Sequence, residues 1–172
     1  MPIIPDEKDW TWVLSRPCPE CGFDASTVTP STVPGTVTNM LPRWRAALRR
    51  PGVAERPNDS TWSVLEYACH VRDVFSLFDR RLNLMLSSDN ASFDNWDQDQ
   101  TAIDKDYAGT DPAVVSAELT AEGHQVADSF AGVREDQWGR RGLRGNGSEF
   151  TVLTLAQYFL HDVVHHLHDV DG

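Results

Sequence analysis

The sequence predicts an all-α fold, a four-helix bundle preceded by an extended N-terminal arm. Three observations predict it. Four segments carry apolar residues at helical spacing, proline, glycine and acidic residues mark the connections between them, and 172 residues suit one domain rather than two. The arm is read as residues 1–33 and the bundle as residues 34–172.

The arm holds five prolines, Trp10 and Trp12, and a Ser/Thr-rich stretch over 26–33, a composition that favours extended chain. From Pro34 to about Arg50, Val37, Met40, Leu41, Trp44 and Leu48 recur at three and four, and Pro51-Gly52 ends this first helix. Asp59 or Ser60 is the expected cap of the second. Trp62, Leu65, Cys69, Val71, Phe75, Phe78 and Leu82 carry its apolar face to about Leu86. A long acidic loop is expected over 87–110, with Trp96 at its centre. Asp111-Pro112 opens the third helix, striped by Val114, Leu119, Val126, Phe130 and Val133. Glycines 142, 145 and 147 predict a tight turn or small hairpin. The last helix runs from about Thr151 to Val170.

Twenty-six acidic against fifteen basic residues give a formal charge of −11. Such a field repels phosphate backbones, so nucleic acid is not an expected partner. No apolar run reaches the ~20 residues of a bilayer span, and the start MetProIleIleProAspGluLysAspTrp reads as acidic rather than as a basic-then-apolar signal peptide. The chain is accordingly read as soluble and cytoplasmic, with no membrane partner.

Four of the six histidines lie in the last twelve residues. His161 and His165, at i and i+4, stack on one helix face roughly 6 Å apart, the spacing by which two imidazoles grip one metal ion. His70, midway along the second helix, is the expected third ligand. Either Glu66 or Asp73 on the same helix is expected to accept from its second nitrogen and fix its tautomer. His166 points about 100° away from His165 and is left out; His168 is a fallback, and His124 has no partner. A satisfied core histidine and a favourable helix-terminal charge are the plain alternatives for these residues. Cys18 and Cys21 form a CxxC that could be half a zinc knuckle or a redox pair. No second CxxC or CxxH completes it and no strand-to-helix context follows it, so it is read as a structural turn with reduced thiols, and Cys69 as core.

The second-helix stretch TrpSerValLeuGluTyrAlaCysHisVal (62–71) and the closing LeuHisAspValValHisHisLeuHisAsp (160–169), in this order on a four-helix domain, resemble the DinB/YfiT-like superfamily. The resemblance covers about residues 34–170. It implies a divalent metal, zinc or alternatively nickel, on His70, His161 and His165. ArgProCysProGluCysGlyPheAsp (16–24) before such a bundle looks like the actinobacterial branch related to mycothiol S-transferases. That likeness implies an enzyme joining mycothiol, a small-molecule thiol cosubstrate, to electrophiles for detoxification. A related isomerase that uses the same thiol shares the implied site.

Three neutral imidazoles would leave a metal with open positions, and a thiol coordinated there is deprotonated. Asn95, Trp96, Asp97 and the arginines 140, 141 and 144 are expected around the mouth, with Trp96, Asp97 and Arg144 lining the thiol site. A metal-dependent hydrolase and a non-catalytic metal-binding stress protein are the competing readings, and a homodimer is compatible with each of them.

Overall fold

The computed structural model describes residues 9–172; the first eight residues of the expected arm lie outside the described residues. Among the described residues there are five α-helices: α1 (Val33–Ala47), α2 (Val64–Ser87), α3 (Gln98–Asp104), α4 (Pro112–Ala131) and α5 (Val152–Asp169). Three short strands, β1 (Ala91–Phe93), β2 (Arg141–Arg144) and β3 (Glu149–Thr151), and several short 3-10 turns make up the rest of the regular structure among the described residues. The bundle consists of α1, α2, α4 and α5. On one side α4 packs against both α1 and α2, and on the other α5 does the same, so α4 and α5 lie diagonally across the core. None of these helices is long and apolar enough to cross a membrane.

Local chemistry sets each helix start. Asp111 Oδ1 accepts from the Ala113 amide at 2.7 Å, with Pro112 in the first turn of α4 as expected. Thr151 caps α5 through the Thr154 amide at 3.1 Å. The start of α2 differs from the expectation. Ser63 Oγ accepts from the Glu66 amide while Glu66 Oε2 accepts from the Ser63 amide at 2.9 Å, a reciprocal capping box. Asn58 closes a turn on Ser60, which is why the Asp59–Ser60 pair does not begin the helix.

The core is aromatic at its centre. Phe159 of α5 meets Phe75 and Phe78 of α2 and Phe130 of α4, with ring centroids 6.0, 5.2 and 5.7 Å away. Trp44, Leu82, Leu119 and Leu155 fill the space around them and are fully buried. Gly123 lets α4 approach α1 closely, because a Cβ there would strike the Leu41 side chain.

The connections hold more structure than expected. The 87–110 segment is not simply a loop: β1 pairs parallel to β2, and Asp97 caps the short α3 by accepting from the Gln100 amide at 2.9 Å. Residues 141–151 form the expected hairpin, β2 antiparallel to β3, in a sheet of order β1-β2-β3. Asp73 of α2 ties the end of this segment down, accepting from Tyr107 at 2.5 Å, Lys105 at 2.8 Å and Arg72 at 3.0 Å. The arm lies along α5. It has one 3-10 turn at Trp10–Leu14, and a second at Ala25–Thr27 whose Ala25 carbonyl accepts from Gln157 Nε2.

Candidate metal centres on the last helix

Two clusters of metal-binding side chains meet on α5, and they divide the expected ligands between them. His70 is grouped with Asp162 and His166; His161 and His165 are grouped with Cys18 and Cys21. His168 and His124 are exposed and join neither cluster. The reason is helical geometry. The pairs 161/165 and 162/166 have the same i, i+4 spacing but are rotated about 100° from one another, so each faces a different neighbour. His70 on α2 faces the second pair, and the arm faces the first.

In the first cluster His70 Nε2 lies 3.1 Å from Asp162 Oδ1, and His166 Nε2 lies 3.6 Å from that same oxygen. The imidazoles of His70 and His166 meet edge to face at 4.7 Å. A cation bound at roughly 2.1 Å by such ligands needs its donors about 3–3.5 Å apart, so the trio fits a divalent ion with little adjustment. The two-imidazole, one-carboxylate donor set suits zinc, nickel or iron(II). His70 is fully buried, whereas the side chains of Asp162 and His166 remain 24% and 20% exposed. The cluster is therefore closed on the α2 side and open on the other.

The surrounding residues prepare these donors. Asp169 Oδ2 is 3.0 Å from His166 Nδ1, which directs the other nitrogen of that ring toward Asp162. Neither Glu66 nor Asp73 contacts His70, contrary to expectation. Glu66 is engaged by Arg56 and the Ser63 cap, and Asp73 by Tyr107, Lys105 and Arg72. The Nδ1 atom of His70 is buried without a hydrogen-bond partner. Burial pushes His70 below the ordinary histidine range, against the pull of Asp162. Burial alone would raise Asp162, but His70 and His166 pull it down to about 2. A neutral imidazole and an ionised carboxylate are the protonation states that coordination needs.

Aromatic rings wall the cluster. Trp96 stacks on His70 at 5.3 Å, Trp62 lies at 5.5 Å from the same ring, and Tyr67 lies at 5.0 Å from His166. Trp96 thus stands against His70, while Asp97 caps α3 and is exposed. Arg144 is buried. It donates to Asn146, to Ser148 and to the Tyr158 hydroxyl at 3.3 Å, one turn before Asp162 on α5. A second buried arginine, Arg81, donates to the Asp94 carbonyl and keeps its Nε unpartnered. Among the described residues neither arginine has a carboxylate at ion-pair distance. Burial, then repulsion from Arg144, lowers Arg81 to about 10. Sequence reasoning missed Arg81, whose place in the second helix reads as a solvated charge. A hollow of about 740 Å³ lined by Arg45, Arg49, Asp111 and Ser116 among others shares no residue with either cluster.

Comparison with known proteins fits this architecture. Residues 37–170 match the DinB superfamily. The chain belongs to the DinB superfamily. Its fold is similar to that of YfiT from Bacillus subtilis, described as a probable metal-dependent hydrolase with an unusual four-helix bundle topology. The TM-score is 0.72 at 15% identity, over 84% of this chain and 89% of that one. Among curated protein sequences none matches the chain. Of the three histidines that the resemblance implied as ligands, His70 stands beside Asp162 and His166, while His161 and His165 stand beside Cys18 and Cys21.

Proposed function

We propose that the chain is a metal-dependent enzyme whose open centre, His70–Asp162–His166, ionises a small nucleophile for attack on a negatively charged small molecule. The observation that carries this reading is the asymmetry of the cluster: fully buried His70 closes it on the α2 side, while Asp162 and His166 of α5 stay partly exposed. Three protein ligands with room for a further group are the pattern of catalytic sites, whereas structural sites are closed. A divalent ion held there supplies positive charge that lowers the pKa of a nucleophile beside it.

The chain's own residues do the rest. His70 stays neutral because it is buried, Asp162 stays ionised, and Asp169 takes the outer N–H of His166 and fixes its orientation. Trp62 and Trp96 keep water from the α2 side of the centre. Arg81 and Arg144 are buried with no carboxylate at ion-pair distance among the described residues, and Arg81 feels the charge of Asp162, which suits a substrate carboxylate or phosphate.

Water is the nucleophile the donor set favours, with an ester or amide as substrate, because two histidines and a carboxylate recur in zinc hydrolases. The description of YfiT supports the same reading. A second reading keeps the thiol: mycothiol, ionised at the same centre, is joined to an electrophile. The aromatic wall of Trp96 and Tyr67 favours it, since such surfaces hold the organic body of a cosubstrate. The arm that carries the likeness to mycothiol S-transferases is engaged elsewhere, against His161 and His165, so hydrolysis stands first.

The test is turnover of a panel of anionic esters and amides by zinc-loaded and nickel-loaded protein, with and without added thiol. Turnover without thiol that disappears in Asp162→Ala is the expected result. Conjugation that requires thiol, with hydrolysis at background, establishes the second reading instead. Metal binding with neither activity overturns both.

A further inference from the structure

Cys18 and Cys21 take no part in the open centre. They lie against the neighbouring face of α5, where one donor atom from each of Cys18, Cys21, His161 and His165 falls within 4.8 Å of the others. Cys18 Sγ is 3.7 Å from His165 Nδ1. A tetrahedral zinc ion places sulfur and nitrogen ligands about 3.5 Å apart, so this pair already stands near coordination distance. His161 is only 4% exposed, and its Nε2 is buried with no hydrogen-bond partner. A polar atom left unsatisfied at that depth is costly, and a cation in the middle of the four donors would satisfy it.

The backbone is shaped for the same purpose. The Gly22 amide donates to the Cys18 carbonyl at 2.9 Å and the Cys18 amide to the Phe23 carbonyl at 2.8 Å, folding 18–23 into a tight knuckle. Gly22 has φ of +74°, a conformation that favours glycine, and the knuckle brings both thiols to one side. The outer nitrogen of His165 lies 3.5 Å from Glu20 and 3.7 Å from Asp169, in the arrangement that orients a ligating imidazole. Trp10, Trp12 and Phe23 pack around His161 at 5.4, 6.4 and 5.6 Å and cover the cluster.

We propose that Cys18, Cys21, His161 and His165 form a closed structural site for a zinc-type divalent cation, which fastens the N-terminal arm to α5. Binding releases the two thiol protons to solvent. The dication and two thiolates then sum to a neutral group, which an aromatic-walled pocket accepts far more readily than a charged one. With all four positions taken by protein there is no place for a substrate, so this site holds structure and does no chemistry.

Cobalt(II) substitution of the intact, reduced chain tests the proposal. Thiolate-to-cobalt charge-transfer absorption with strong tetrahedral visible bands is expected in the wild type and in His70→Ala, where the open centre is disabled. It is expected to vanish in Cys18→Ser and to weaken sharply in His161→Gln. Zinc should also protect Cys18 and Cys21 from a thiol reagent in the wild-type chain, a readout that does not depend on whether any variant folds. The proposal is overturned if the wild type shows no charge-transfer band, if the band survives in Cys18→Ser, or if thiol labelling is the same with and without zinc. Recovery of the cysteines as a disulfide that cobalt and zinc cannot prevent from forming overturns it in favour of a redox pair.

Discussion

The two clusters on α5 start from the same local pattern and end in different chemistry. Each uses a pair of side chains at i and i+4, 161/165 in one and 162/166 in the other, and each receives its remaining ligands from a different element. The pair facing α2 gains one further donor, a fully buried histidine, and keeps two ligand side chains partly exposed. The pair facing the arm gains two thiols and a lid of tryptophans. Spacing alone therefore does not decide what a helical pair does. The number and hardness of the completing donors decide it, together with the solvent access they leave.

The largest contrast is expected in activity. Asp162→Ala or His70→Ala should lower turnover at least about 100-fold, the upper range for losing even an outer-sphere partner. Cys18→Ser should leave turnover within a few-fold so long as the chain is folded, as judged by circular dichroism. Equal losses of activity in both would erase the distinction between an open and a closed cluster.

Stability should show the reverse order. A cation that binds the native chain at about 1,000 times its dissociation constant adds about 4 kcal/mol, and a domain of this length shifts by roughly 2–4 °C per kcal/mol. The double variant Cys18→Ser/Cys21→Ser should thus melt about 10 °C below the wild type in zinc, by scanning calorimetry. Asp162→Ala should fall by less, because its site is partly solvated.

The metal-free chain should respond to pH through its buried histidines. Burial and then His165 lower His161 from 6.5 to about 4, and burial also lowers His70 and His165. Below pH 6.5 the unfolded chain takes up protons that the folded chain refuses, so unfolding is favoured as pH falls from 6.5 toward 4. His161 alone corresponds to roughly 3 kcal/mol across that window. Asp162 adds a smaller loss between its ordinary value of 3.8 and about 2. Urea melts at pH 7.5, 5.5 and 4.5 check the sign: stability that rises on acidification contradicts it.

Asp169 joins the two regions, with one oxygen 3.0 Å from His166 and the other 3.7 Å from His165. Asp169→Asn should weaken metal binding about tenfold at the first and less at the second, where Glu20 shares the task, as competition with a chromophoric chelator would measure. The smallest effect belongs to His124→Ala, an exposed histidine outside both clusters, which should change metal content not at all and stability by under about 0.5 kcal/mol.

The bundle was legible because its signals are periodic and local. Val37, Met40, Leu41 and Trp44 announce α1, and Asp111-Pro112 announces α4, before any tertiary contact is known. Less legible were the elements that depend on reciprocal contacts. The Ser63–Glu66 box starts α2 three residues beyond the Ser60 expected to cap it, and β1 exists because β2 is beside it. For the centres, the histidines were recognisable but their partition was not. HisAspValValHisHis (161–166) holds two overlapping i, i+4 pairs, and a single ion can serve only one of them. That overlap was the signal to follow. The HxxxH that the proposed closed site pairs with the CxxC lies more than a hundred residues away, beyond the reach of any local spacing rule. Asp162 gave no signal by itself, since an aspartate next to a histidine usually faces water.

The account turns on α5 carrying two separate metal sites. Metal stoichiometry by inductively coupled plasma mass spectrometry on zinc-reconstituted wild type, Asp162→Ala and Cys18→Ser/Cys21→Ser tests this most directly. The expected result is about two ions per chain in the wild type and about one in each variant, from a different site in each case. A wild type that holds one ion, lost equally from both variants, would contradict it and return His161 and His165 to a single centre shared with His70.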